Sequence, residues 1–210
     1  MALARDAGRA LLSETRRRLA LACAVAPLAA IAGCRRAPVS FSAVDVTGAN
    51  FGRDFALTDH LGQPRTLADY RGKVVVVFFG FTQCPDVCPT TLAEMAQALR
   101  ELGPRADRVQ VLFITVDPER DTQALLAQYV PAFDPRFVGL RGDADAIART
   151  AREFKVFYQK VAGSSPGSYS VDHTAGSYVF DPQGRLRLFV KHAKGPGPLA
   201  TDIGHLLDGA

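Results

Sequence analysis

Hydrophobic residues change their spacing along the chain in a regular order. Val74 to Phe79 form an unbroken run of β-branched and aromatic residues bounded by Gly72 and Gly80. Such a run predicts a strand buried on both faces of a parallel or mixed sheet. Leu92, Met95, Ala96, Leu99 and Leu102 then recur at helical spacing, which gives a helix one apolar face. Pro89 has no N–H and fits only a first turn, so the helix is expected to start at about Pro89. Cys88 then stands near the N-cap and Cys84 in a tight turn before it, while Gly103-Pro104 ends the helix. Val109 to Val116 predicts a second central strand, parallel to the first and beside it. Asp117-Pro118 is turn chemistry, and Asp121 or Thr122 suits the N-cap of a helix over Gln123–Tyr129 that Pro131 cuts.

Further along, Phe137–Leu140 reads as a short strand, Asp143 as the cap of a helix reaching Phe154, and Phe157–Val161 as another strand. Gly163–Ser168 reads as a flexible loop or a plain hairpin connection. Ser177–Phe180 and Leu186–Val190 flank the Asp181-Pro182-Gln183-Gly184 turn and predict an antiparallel hairpin. A helix from Leu199 to Leu207 closes the chain. Before the first central strand, Phe41–Phe55 suggests a strand or hairpin over one end of the sheet. Asp54–Asp59 suggests a short strand before a turn, with His60 in an exposed loop. The order predicts an α/β protein of thioredoxin-like arrangement, a central mixed sheet flanked by helices, with an N-terminal strand extension and one inserted helical segment.

The first residues read differently. Arg16, Arg17 and Arg18 precede an apolar run from Leu19 to Gly33 broken by Pro27, short of the ~20 residues of a bilayer span. A positive start, a short apolar stretch and a small-residue end describe an export signal over residues 1–33. Ile31-Ala32-Gly33-Cys34 resembles a bacterial lipobox, which would make Cys34 the lipidated first residue of the mature chain. That places the protein on the periplasmic side of a bacterial membrane, with residues 34–40 as a tether and 41–207 as the folded domain. Thr15–Leu19 also resembles a twin-arginine signal, so the export route stays open. Residues 1–33 carry a net +3 of the chain's +4, leaving the remainder near +1. The basic balance is therefore no argument for nucleic-acid binding.

Cleavage and lipidation also change the cysteine count. Of four cysteines, Cys23 leaves with the signal and Cys34 carries lipid, so Cys84 and Cys88 are the remaining thiols. In an oxidising compartment such a pair forms a disulfide or is kept reduced or metallated for a purpose. The positive end of the helix dipole is expected to lower thiolate pKa there. Gly80-Phe-Thr-Gln-Cys-Pro-Asp-Val-Cys-Pro89, with Val171-Asp172-His173-Thr174 far downstream, resembles the signature of the Sco/SenC family of thioredoxin-fold copper chaperones. The resemblance runs over roughly residues 41–207. It implies one copper ion, Cu(I) or Cu(II), held by Cys84, Cys88 and His173. It also implies an acidic loop at Asp117 beside the metal, and the apo copper-binding subunit of cytochrome c oxidase as recipient.

The residue types agree with a soft metal. Thiolates select Cu(I), zinc or iron–sulfur clusters, and imidazole suits copper and zinc. Structural zinc normally takes four protein ligands and an iron–sulfur cluster four cysteines, more than this set supplies. Asp172 is a candidate for orienting the His173 ring. Asp117 is open to a cap-and-turn role or to electrostatics around the metal. His192 and His205 read as surface residues. Three functions compete: a copper chaperone, a thiol–disulfide oxidoreductase that keeps oxidase cysteines reduced, and a lipoprotein domain stapled by a disulfide. A second periplasmic copper donor or a thiol reductase is a further candidate partner. Only the chaperone needs His173.

Overall fold

The computed structural model describes residues 39–210. The expected export signal, Cys34 and most of the expected tether lie outside the described residues. Two strands form the centre: β4 (Val74–Gly80) and β5 (Val109–Thr115) run parallel in continuous register from Val74 opposite Val109 to Gly80 opposite Thr115. Every residue of both is buried, as an unbroken apolar run requires when both faces of a sheet are covered. Six further strands complete the main sheet: β1 (Val44–Asp45), β2 (Ala56–Asp59), β3 (Pro64–Thr66), β6 (Val138–Arg141), β9 (Gly176–Phe180) and β10 (Leu186–Lys191). The spatial order is β1-β10-β9-β4-β5-β6-β2-β3. β6 is parallel to β5, whereas β9 runs antiparallel to β4, so the sheet is mixed.

The helices are α1 (Val87–Leu102), α2 (Gln123–Tyr129), α3 (Ala144–Glu153) and α4 (Pro196–Leu207). Leu92, Met95, Ala96 and Leu99 of α1 are buried, as are Leu199, Ile203, Leu206 and Leu207 of α4, and the two helices pack together. Thr122 and Asp143 cap α2 and α3 by accepting from the N–H groups of Leu125 and Ala146. Of the two N-cap candidates before α2, Thr122 does the capping and Asp121 is drawn into the interior.

Several boundaries differ from expectation. α1 begins at Val87, with Asp86 at the N-cap, so Cys88 lies inside the first turn. Pro89 fits one position further in, where a backbone N–H would still lack an intrahelical partner. The N-terminal extension is a single short strand on the outer edge of the sheet, pairing Val44 with Phe189. It is tied down by Asp202, which accepts from the N–H groups of Ser42 at 2.9 Å and Ala43 at 2.8 Å. At the opposite edge the turn after β2 continues into β3, and Pro64 is tolerated there because an edge strand can lack a donor.

The segment before β9 is a hairpin, the second of the two alternatives left open for Gly163–Ser168. β7 (Tyr158–Ala162) and β8 (Tyr169–His173) form a separate two-stranded ribbon, with Tyr158 opposite His173, and Gly163–Ser168 is its connection. Among the described residues this ribbon shares no ladder with the main sheet.

Candidate metal centre

Parallel pairing of β4 and β5 brings the segments after Gly80 and Thr115 out at one edge, where open α/β sheets place their chemistry. Val116 N–H donates to the Gly80 carbonyl at 2.9 Å and closes that edge. The first segment turns through Cys84 into α1. From the other side, β9 begins at Gly176 and pairs Ser177 with Phe78. The end of β8 therefore arrives at the same place and delivers His173.

Cys84, Cys88 and His173 converge, with their Sγ atoms and an imidazole nitrogen all within 4.8 Å of one another. His173 Nε2 is 3.5 Å from Cys88 Sγ. The N–H of Cys88 points at Cys84 Sγ, 3.4 Å away. Three atoms bound at about 2.3 Å around one ion in a trigonal plane stand about 4.0 Å apart, so this triangle needs to contract by less than about 1 Å to hold one metal. Both cysteines are free thiols, Cys84 half-buried and Cys88 fully buried.

The ring of His173 is held by walls and one carbonyl. Its centroid lies 6.1 Å from Phe78 and 6.0 Å from Phe81, both edge-on. Nδ1 is 3.1 Å from the Thr174 carbonyl; an oxygen acceptor there assigns the proton to Nδ1 and leaves the Nε2 lone pair facing Cys88. Burial holds the imidazole pKa below its ordinary value, so at neutral pH the ring is already in its ligating form.

Cys88 departs from the dipole expectation. Burial pushes the Cys88 thiol well above the ordinary thiol range, and the favourable backbone hydrogen bond from Phe81 offsets only part of it. Desolvation of a thiolate in an apolar wall outweighs the helix dipole here. A soft cation reverses the balance by displacing the proton.

Asp172 does not orient the ring. Successive strand residues face opposite sides; Asp172 is exposed and acts on His173 only through a weak coulombic effect. Asp117 is buried and engaged, accepting from Arg120 and, at 2.8 Å, from the Tyr169 hydroxyl. The other histidines lie away from the centre. His60 Nδ1 accepts from the Gly139 N–H at 2.9 Å, so it ties β6 to the β2–β3 turn and is not a free loop residue. His192 bonds Thr91 Oγ1 at 2.9 Å, and His205 packs edge-on against Phe41 at 6.2 Å; both are half-buried.

Two residues named in the sequence only as a cap candidate and a strand boundary contribute to the site. Asp121 is fully buried and accepts from Thr82 N–H at 3.1 Å, Thr82 Oγ1 at 2.6 Å and Thr115 Oγ1 at 2.6 Å. It fastens the start of the cysteine turn to the end of β5. Gly80 is the other. A Cβ there would sit 2.9 Å from Cys88 Sγ and 2.8 Å from a Phe113 ring carbon, so glycine lets the thiol lie against the strand. Gly80→Ala is expected to cost about 1–3 kcal/mol by overpacking and to push Cys88 Sγ out of place. Thermal melts together with Cys88 thiol reactivity check this. Unchanged values in both would mean that the strand shifts to make room.

A mixed sheet flanked by helices, with a Cys-x-x-x-Cys turn at a helix start and a histidine returning to it, defines a thioredoxin-like domain with a soft-metal type of site. The chain belongs to the SCO1/SenC family, whose model matches residues 44–208. It is 44% identical over 152 residues to the mitochondrial SCO2 homolog of Bos taurus, an alignment covering 71% of this chain and 57% of the bovine protein. The chain spans about half the length of the vertebrate relatives it matches. Among solved structures, copper-bound ScoI of Bradyrhizobium japonicum is 42% identical with a TM-score of 0.67, covering 76% of this chain and all (100%) of that one. Apo Sco1 from Thermus thermophilus is 41% identical with a TM-score of 0.72, covering 82% and 100%.

Proposed function

We propose that this chain is a membrane-anchored copper chaperone. It holds one copper ion as cargo at Cys84, Cys88 and His173 and passes it by ligand exchange to the apo copper-binding subunit of a cytochrome c oxidase. The observation that carries this reading is the convergence of two thiols and a neutral imidazole within 4.8 Å at one sheet edge. Copper in the related ScoI of B. japonicum supports the metal. The soft sulfurs fit Cu(I), and the imidazole lets the same set hold Cu(II). Half-exposed Cys84 offers an incoming ligand a way to the ion, whereas fully buried Cys88 holds it from behind. A lipid on Cys34 and residues 35–40 as tether would keep this edge near a membrane-bound recipient on the periplasmic side.

A second reading rests on a specific observation: Cys84 is half-exposed, and its sulfur receives the Cys88 N–H at a helix start. That is the arrangement of an attacking thiol. Acting as a reductant, the pair would form an Sγ–Sγ bond and give up two electrons and two protons. The recipient's disulfide would take both and open to two thiols.

Titrating the reduced domain with Cu(I), and separately with Cu(II), under anaerobic conditions tests the proposal. One ion per chain is expected, with sulfur-to-copper charge-transfer absorbance for Cu(II), and Cys84→Ser and Cys88→Ser should each abolish both signals. Absence of stoichiometric copper binding by the reduced chain would leave the thiol–disulfide reading in its place.

A further inference from the structure

The segment Asp117–Asp121 grips both halves of the metal centre. On one side Asp121 bonds Thr82, and Arg120 Nη1 donates to Gln83 Oε1 at 3.0 Å, so both residues hold the turn that leads into Cys84. On the other side the contacts reach the β7–β8 ribbon that ends in His173. Arg120 Nη1 donates to the Tyr169 carbonyl at 2.9 Å, and its guanidinium lies over the Tyr169 ring, 3.7 Å from the centroid. Tyr169 donates its hydroxyl to Asp117. Lys160 bonds Glu119 at 2.6 Å and covers the same ring at 4.7 Å. The ribbon shares no ladder with the main sheet among the described residues, so these side chains do what hydrogen-bonded strands do elsewhere.

From this we infer that Arg120 is the positioning residue of the metal centre, setting the distance between the Cys84–Cys88 turn and His173. Its guanidinium is planar and forked, so one group can bond Gln83 and Tyr169, pair with Asp117 and stack on an aromatic face at once. It also lies 5.7 Å from the centroid of Phe81, whose ring in turn walls His173. A lysine supplies the charge without the fork. Asp117 is the anchor that aims Arg120, which gives the acidic loop a role in geometry without contact with the ion.

The inference about copper rests on the function proposed above, but the positioning does not, so the test has two arms. In the metal-free protein, the ring protons of His173 lie among the rings of Phe78 and Phe81 and should show displaced NMR shifts and cross-peaks to both. Arg120→Ala and Tyr169→Leu should each move those shifts toward free-histidine values, and Arg120→Lys should only partly restore them. Tyr169 is half-buried and only packs against the core from the ribbon, so its variant tests the grip even if loss of Arg120 prevents folding. Unaltered His173 cross-peaks in the folded variants overturn the assignment, whatever the protein does with copper.

In the second arm, Cu(I) affinity is measured by competition. Arg120→Ala should weaken it about 10–100-fold, the range for losing an outer partner of a metal ligand. In a His173→Ala background it should weaken it no further, because the residue it positions has gone. An equal loss in both backgrounds would show that Arg120 acts through general stability or through the cysteines, and would overturn the inference. If His173→Ala alone left copper affinity intact, the ligand assignment would fail, while the NMR arm would still decide the positioning.

Discussion

His173→Ala is expected to lower copper affinity by more than about 100-fold, since losing an outer partner of a ligand alone costs about 10–100-fold. The same variant should still form the Cys84–Cys88 disulfide. Removing the ring takes away one ligand and opens a space between Phe78 and Phe81, but neither sulfur depends on the imidazole to reach the other. Cys84→Ser and Cys88→Ser should each abolish both properties. The pH dependence separates the ligands further. Burial holds His173 below its ordinary pKa and Cys88 above, so above roughly pH 7.5 the ring gives up almost no proton on binding, while Cys88 does. Affinity should therefore rise with pH, and His173→Ala should keep the slope of the wild type while lying below it. Competition titrations at several pH values, beside thiol counting after mild oxidation, read all of this. Full copper affinity and full support of oxidase assembly by His173→Ala would remove the chaperone reading and favour thiol exchange.

Periodicity was sufficient wherever packing against the sheet dominates. Val74–Phe79 and Val109–Val116 could hardly be anything but adjacent buried strands, and the faces of α1 and α4 follow from apolar spacing. The structure places both there. The convergence of Cys84, Cys88 and His173 was legible through the two motifs, because each motif stands at the end of an element that the sheet order brings to one edge. Other features depend on pairing between distant residues and leave no local trace. β8 alternates too weakly to announce itself, although its partner β7, read from sequence as a strand over Phe157–Val161, lies at Tyr158–Ala162. The Asp-Pro-Glu-Arg-Asp stretch looks like a turn and a cap, which it is in part. Nothing in those five residues shows that Arg120 reaches Tyr169 and Gln83, or that Asp121 is fully buried. The dipole argument failed for Cys88 for a related reason: it considered the helix and not the wall of β4 behind that thiol.

Asp121 gives the largest expected effect on stability outside the hydrophobic core. Asp121→Ala leaves the Thr82 N–H and the hydroxyls of Thr82 and Thr115 without their acceptor. A buried donor left unpaired costs about 1–3 kcal/mol, and relief of a buried charge offsets part of the sum, so a net loss of about 2–3 kcal/mol is expected. Because Thr82 opens the turn that carries Cys84, copper affinity should fall too. Asp121→Asn keeps one oxygen for the Thr82 N–H and for the hydroxyl that faces it, and the other hydroxyl can rotate to accept from the amide, so it should lie within about 1 kcal/mol of the wild type. The sign of its pH dependence follows from burial, which is the main cause holding the Asp121 carboxyl above its ordinary pKa against the pull of the threonine donors. A raised carboxyl pKa means the folded chain keeps a proton that the unfolded chain has released. The stability from this group is complete below the ordinary carboxylate value, falls as pH rises to the raised folded value, and is level above it. The Asn variant has no such decline. Its stability relative to wild type should therefore improve as pH rises through that window and then stay constant. Urea unfolding of both proteins across the acid range measures the difference. A relative stability of the Asn variant that fell as pH rose, or that did not change, would mean that the threonine donors hold Asp121 ionised and that burial costs it little.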